Sequence, residues 1–125
     1  MIHATTDVGV SLESTAHAKA YNNSIWLEAA ASIHPRYPST QYLSIINNLT
    51  NAAIFDSEGA TGVIETNFTN AQAASFVDPQ NGDLRLAGSI TTVSEQGQSL
   101  SGVEIDMDCE ERPNGDFYDL GADEY

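Results

Sequence analysis

The side chains able to do chemistry in this chain are mostly acids, and they crowd toward its C-terminal end. Of eighteen Asp and Glu residues, nine fall within residues 104–125, where Arg112 is the single base. The run Asp106-Met107-Asp108-Cys109-Glu110-Glu111 offers hard oxygen donors of the kind Ca²⁺ takes, and Asp106, Asp108 and Glu110 are its candidate ligands. The run lacks the glycine and ligand spacing of an EF-hand loop. Turn carboxylates that accept backbone N–H bonds, or that face Arg112, explain the same composition. No cofactor other than such a calcium ion is expected. His3, His17 and His34 lie far apart and show no metal-ligand spacing. Cys109 is the only cysteine, which excludes an intramolecular disulfide, and no nucleophile-elbow motif accompanies the serines.

Aromatic side chains are the other candidates, because a ring face stacks on the apolar face of a sugar. Trp26, Tyr37 and Tyr42 are the residues in question. Trp26 follows an expected corner and Tyr37 lies in a proline-bounded stretch, whereas core burial is the ordinary fate of a tryptophan.

Charge narrows the partners. Four bases against eighteen acids leave a formal charge of −14, so nucleic acid is not an expected partner, since phosphate affinity depends on clustered Lys and Arg. Anionic membrane surfaces are disfavoured on the same ground. Such a surface also simply keeps a protein soluble. No stretch reaches the ~18 to 20 apolar residues that cross a bilayer, so no membrane insertion is expected. The opening Met1-Ile2-His3-Ala4-Thr5-Thr6-Asp7 has neither a basic nor an apolar region, and no secretory signal is read in it.

The elements that must position these residues are short and β-rich. Helical periodicity is scarce, with residues 14–20 and 27–33 the best helical candidates. Val8-Gly9-Val10-Ser11-Leu12 alternates with period two, and Tyr42-Leu43-Ser44-Ile45-Ile46 and Gly62-Val63-Ile64 are compact apolar runs. A weak internal repeat aligns Tyr21-Asn22-Asn23-Ser24, Ile46-Asn47-Asn48-Leu49 and Glu65-Thr66-Asn67-Phe68, placing Asn23, Asn48 and Asn67 at spacings of 25 and 19 residues. Repetition at this period is the mark of a solenoid, whose turns bury their apolar faces only by stacking. Asparagine suits its corners, since it tolerates left-handed backbone and its amides can bond from turn to turn as a ladder. The Asn-x-Ser/Thr sequons at Asn22, Asn48 and Asn67 are then a by-product of the repeat. Val10, Leu12, Ile25, Leu43, Ile45, Ile54, Val63, Ile64 and Phe68 are the expected core, in about four coils spaced by ~4.8 Å. Residues 33–40 carry two prolines and read as a loop leaving the solenoid rather than a central strand.

The C-terminal motifs carry a resemblance. Ser75-Phe76-Val77-Asp78-Pro79 with Gly82-Asp83-Leu84-Arg85-Leu86, then Asp106, Asp108, Arg112 and Pro113, then Asp119-Leu120-Gly121-Ala122-Asp123-Glu124-Tyr125, resemble in order the exit strand and closing segment of right-handed parallel β-helix proteins with pectate-lyase-like coils. Those are often large exported or surface-anchored bacterial proteins. The resemblance is best from Tyr42 to Tyr125. Ile90-Thr91-Thr92-Val93 stands where the family commonly has Pro-Ala-Ile-Asp; Cys109 replaces a turn glycine and Glu111 a proline. The family's catalytic or binding grooves usually lie on further N-terminal coils.

The resemblance implies an all-β chain, a short right-handed parallel β-helix with an irregular C-terminal cap. It is expected to form one domain over residues 1–125, with coils over about 8–75 and the exit strand and cap over 76–125. It also implies an extracellular or cell-surface setting, and a non-catalytic binding or structural module for an extracellular glycan such as a polysaccharide. The alternatives are a minimal or vestigial polysaccharide lyase or hydrolase, and a self-assembling module without a ligand. A lyase on this fold would be expected to use calcium and a basic residue, here drawn from Lys19, Arg36, Arg85 and Arg112. An open first coil exposes backbone and apolar interior, which points to a homo-oligomer unless residues 1–20 cover it.

Overall fold

The computed structural model describes residues 1–3, 7–55 and 58–125. In chain order the strands are β1 (Ile2–His3), β2 (Val8–Glu13), β3 (Lys19–Tyr21), β4 (Ser24–Trp26), β5 (Ala31–Arg36), β6 (Leu43–Ile46), β7 (Leu49–Thr50), β8 (Ala53–Ile54), β9 (Gly62–Glu65), β10 (Phe76–Asp78) and β11 (Asp83–Leu86). Two 3₁₀ turns, Ala73–Ser75 and Pro79–Asn81, flank β10, and no α-helix occurs among the described residues. None of their helices is long and apolar enough to cross a membrane.

Every third strand pairs. The sheets run β1-β4-β7, β2-β5-β8 and β3-β6-β9, all parallel and three strands each, while β10 and β11 form an antiparallel pair. The chain therefore visits the three sheets in turn and returns one strand further along, an all-β arrangement compatible with a β-helix. A fourth pass begins where Phe68 bridges Leu49.

Period-two alternation along the strands divides the apolar residues between two cores. Ile25, Ile33, Ala20 and Ile45, one or two from each sheet, meet with Leu27 and Ala52 in the space the three sheets enclose. The opposite face of the first sheet feeds a second core, where Leu49 packs with Ala71, Phe76, Leu84, Leu86, Val93 and Leu120, and with the half-buried Trp26 and Phe68. The C-terminal segment thus lies over the outer face of β1-β4-β7. Hydrogen bonds hold it there: Gly121 N–H donates to Asn47 O at 2.8 Å, Ala122 N–H to Ser24 Oγ at 2.9 Å, and Asn47 Nδ2 to Gln98 O at 2.7 Å.

Three expectations change. Residues 33–36 belong to β5, a central strand, despite Pro35. Ile33 C=O accepts from Phe55 N–H, so with period two the ring nitrogen of Pro35 faces the same side, beyond the end of β8 at Ile54. No ladder bond is lost there, which removes the usual objection to proline. Val63, expected inside, is 45% exposed because Ile64, not Val63, shares the register of buried Ile45. Residues 2–3, 8–13 and 19–21 are strands of the first pass, so they do not lie across it as a lid.

Candidate functional site

The corners between strands are set by left-handed backbone. Asn22, Asn47 and Thr66 have φ of 48°, 59° and 55°, and each precedes a ladder asparagine. Asn23 Nδ2 donates to Asn48 Oδ1 at 2.8 Å, and Asn48 Nδ2 to Asn67 Oδ1 at 2.8 Å. The same two oxygens accept the backbone N–H of Asn23 and Asn48. Asn22 and Asn48 are buried, so two of the three sequons present no accessible amide.

A second row of left-handed corners joins the second sheet to the third: Ser14, His17, Tyr37, Tyr42 and Glu58, with φ between 47° and 71°. Here aromatic rings reach the surface. Tyr42 is 65% exposed and Tyr37 38%. The Tyr42 ring stacks on His17 with centroids 5.0 Å apart and planes 12° from parallel. The Arg36 guanidinium lies 4.9 Å from the Tyr37 ring centre and is held by two carboxylates, Glu13 Oε1 and Glu58 Oε2, each at 3.2 Å. The hydrogen bond that the guanidinium donates to Glu58, with the charge of Glu58 and those of neighbours, holds the Arg36 pKa above its ordinary value. Glu13, Arg36 and Glu58 thus form one ionic row across three passes, bracing the loop that carries Tyr37.

Trp26 is not brought to this corner. It packs edge-to-face on Phe76 at 5.9 Å, beneath the C-terminal segment. Among the proposed calcium ligands, Asp106 is buried and spends both oxygens on backbone: Oδ1 accepts from Asp108 and Glu110 N–H, and Oδ2 from Glu124 N–H. Asp108 and Glu110 are exposed. Among the described residues no group of three or more His, Cys, Asp or Glu side chains is placed to hold a metal ion.

The remaining bases have partners too. Lys19 lies over the Tyr21 ring at 5.6 Å, Arg85 pairs with Asp83, and Arg112 Nη1 is 2.9 Å from Glu124 Oε1 with both side chains buried. Arg112 Nη2 also donates to Gly121 O, tying the ion pair to the closing residues. Burial pushes the Glu124 and Asp123 carboxyls above their ordinary pKa. Cys109 is exposed and adopts φ of 68°.

A feature with no sequence signal of its own is a cavity of about 230 Å³ lined by Pro35, Leu43, Ala60, Thr61, Gly62 and Ile64. Gly62, which borders it, is in register with Leu43, and the two strands lie too close there to admit a side chain. A Cβ on Gly62 would stand 2.5 Å from Leu43 N and O. Only the pairing of distant segments could reveal it.

Comparison with protein-family models, with curated proteins and with solved structures finds no match for this chain.

Proposed function

We propose that this chain is a short right-handed parallel β-helix of the pectate-lyase-like kind, closed by its irregular C-terminal segment, and that it serves as a non-catalytic module for an extracellular polysaccharide. The observation that carries the reading is the corner of Tyr37 and Tyr42. Both rings are exposed, both sit on left-handed backbone, and both are backed by a stacked or charged neighbour. Non-glycine residues held at positive φ are strained and gather where a side chain must be displayed. A ring already fixed by its neighbours loses little freedom on stacking against a sugar.

Two further observations support binding rather than turnover. Arg36, Arg85 and Arg112 each face a carboxylate, which leaves them poorly suited to neutralise a uronate. Among the described residues, the carboxylates beside the aromatic corner, Glu13 and Glu58, share the Arg36 guanidinium, which lowers their repulsion of an acidic glycan.

Affinity electrophoresis through gels containing pectin, alginate or a neutral glucan tests the reading. Retardation in one of them, lost in Tyr42→Ala and reduced in Tyr37→Ala, is the expected result. Equal mobility of all three proteins in every gel would remove the platform. Release of unsaturated uronate from pectin or alginate would replace the binding module by a lyase.

A further inference from the structure

The same three residues occur in the same order at two places, Asn81-Gly82-Asp83 and Asn114-Gly115-Asp116. Asparagine is thermolabile, and a following glycine exposes its side-chain amide to attack, because no Cβ obstructs the approach of the glycine backbone nitrogen. Local sequence makes the two sites equally reactive, so any difference between them comes from the fold.

The fold treats them unlike. Asn81 ends the 3₁₀ turn Pro79–Asn81, its Nδ2 donates to Asp78 Oδ2 at 2.8 Å, and Gly82 N–H is turned back onto Pro79 O at 3.4 Å. Both the group that would leave and the nitrogen that would attack are therefore engaged. Asn114 and Gly115 are exposed. Asn114 is anchored by its own backbone N–H, which donates to Glu124 Oε2 at 3.1 Å, and Asp116 N–H reaches Glu95 Oε1 at 3.4 Å. Between these two anchors, neither the Asn114 side-chain amide nor the Gly115 N–H has a hydrogen-bond partner among the described residues.

We propose that Asn114 is a site of spontaneous deamidation, and that its conversion weakens the hold of the closing segment through Glu124. The Gly115 nitrogen gives up its proton and attacks Asn114 Cγ. The new N–C bond closes a succinimide ring, the Cγ–Nδ2 bond breaks, and the nitrogen leaves as ammonia with the proton that Gly115 lost. One water then opens the ring at either carbonyl, leaving aspartate, or isoaspartate with the backbone routed through the former side chain. Either product adds a negative charge to the residue that bonds Glu124, in a stretch that already carries Glu95 and Asp116. Arg112, the single base of residues 104–125, is committed to Glu124 Oε1 and Gly121 O, so nothing near offsets the new carboxylate. Glu124 Oε1 also accepts Asp119 N–H at 3.0 Å, and repulsion at Glu124 is felt by that bond too. Isoaspartate adds one backbone carbon between the anchors at Asn114 and Asp116.

Peptide mapping by mass spectrometry of protein aged in mildly alkaline buffer, with isoaspartate distinguished by electron-transfer fragmentation, tests the assignment. In urea the two sites should convert at equal rates. In the folded protein residue 114 should convert about tenfold faster than residue 81, the factor that one hydrogen bond of ordinary net strength withholds. Equal rates at the two positions in the folded protein would overturn the proposal, as would an intact Asn114 there when the unfolded chain converts at both. Asn114→Gln keeps the backbone N–H for Glu124 and needs a larger, slower-forming ring. Aged wild type should melt below fresh protein while aged Asn114→Gln does not. Aged wild type that carries the modification at residue 114 and melts as fresh protein does would overturn the link to Glu124.

Discussion

Asn48 is the middle rung of the ladder, fully buried, with its Oδ1 accepting two bonds from Asn23 and its Nδ2 donating toward Ala20 O, Ile46 O and Asn67 Oδ1. Removing it strands several buried polar groups, each worth about 1–3 kcal/mol when left unpaired. Asn48→Ala is expected to lower unfolding stability by about 3 kcal/mol or more, and Asn23→Ala at the ladder's end by clearly less. Urea denaturation checks the order, and equal losses would mean the ladder is not a cooperative spine. The ladder was readable from the repeat, but the left-handed turn falls one residue earlier, at Asn22, Asn47 and Thr66. Asparagine was expected to do both jobs at one position; adjacent residues divide them. Asp123 supplies a second prediction. Its carboxylate accepts Leu86 N–H at 2.7 Å, yet burial raises its pKa in the fold. An acid whose folded pKa is raised contributes stability present below its unfolded pKa and lost as pH rises through the folded value. Melting temperature should therefore fall as pH rises above the ordinary carboxylate range, and Asp123→Asn, which keeps an acceptor for Leu86, should raise it at neutral pH and flatten the profile. A variant with the wild-type slope would assign the pH dependence to other carboxylates.

Strands here are short, and their partners settle what each residue does. Val63 and Ile64 are adjacent apolar residues with similar claims to the interior; register with Ile45 admits Ile64 and turns Val63 out. Pro35 is an ordinary strand breaker by type, acceptable because its missing N–H lies past the end of β8. The closing segment shows the same dependence. Gly121 has φ of 98°, and a Cβ there would stand 2.7 Å from Ser24 Oγ and 3.0 Å from Leu49 Cβ. Gly121→Ala is expected to cost about 1–3 kcal/mol through backbone strain alone, and more through the displaced Ser24 hydrogen bond. Differential scanning calorimetry measures it, and an unchanged transition would mean this segment melts independently of the stacked sheets. The ionic row of Glu13, Arg36 and Glu58 is exposed, so Arg36→Ala should change stability little while loosening the Tyr37 loop. The discriminating measurement is glycan retention, which should weaken even though the melting temperature holds.

Taken as a molecule, the chain combines a strong acidic charge with a stack of parallel three-stranded sheets. At −14 the folded state repels itself, and added NaCl should raise the melting temperature by screening. A flat response under calorimetry would show that repulsion persists equally in the unfolded chain. Composition and the Asn repeat were enough, by themselves, to point to an all-β chain of short strands, and the parallel three-stranded sheets are compatible with the repeating turns that the Asn spacing suggested. Those signals are local, and each turn needs the same corner chemistry wherever it sits in the stack. Which face the closing segment covers was decided only in three dimensions: it lies along β1-β4-β7 and packs Trp26, half-buried, edge-on against Phe76, separating it from Tyr37 and Tyr42, the other two rings marked as a platform. The cavity above Leu43, the paired arginines and the exposed corner of Tyr37 and Tyr42 were decided there as well. Each depends on which distant residues share a register, and sequence spacing along one strand carries no information about the strand that will pair with it.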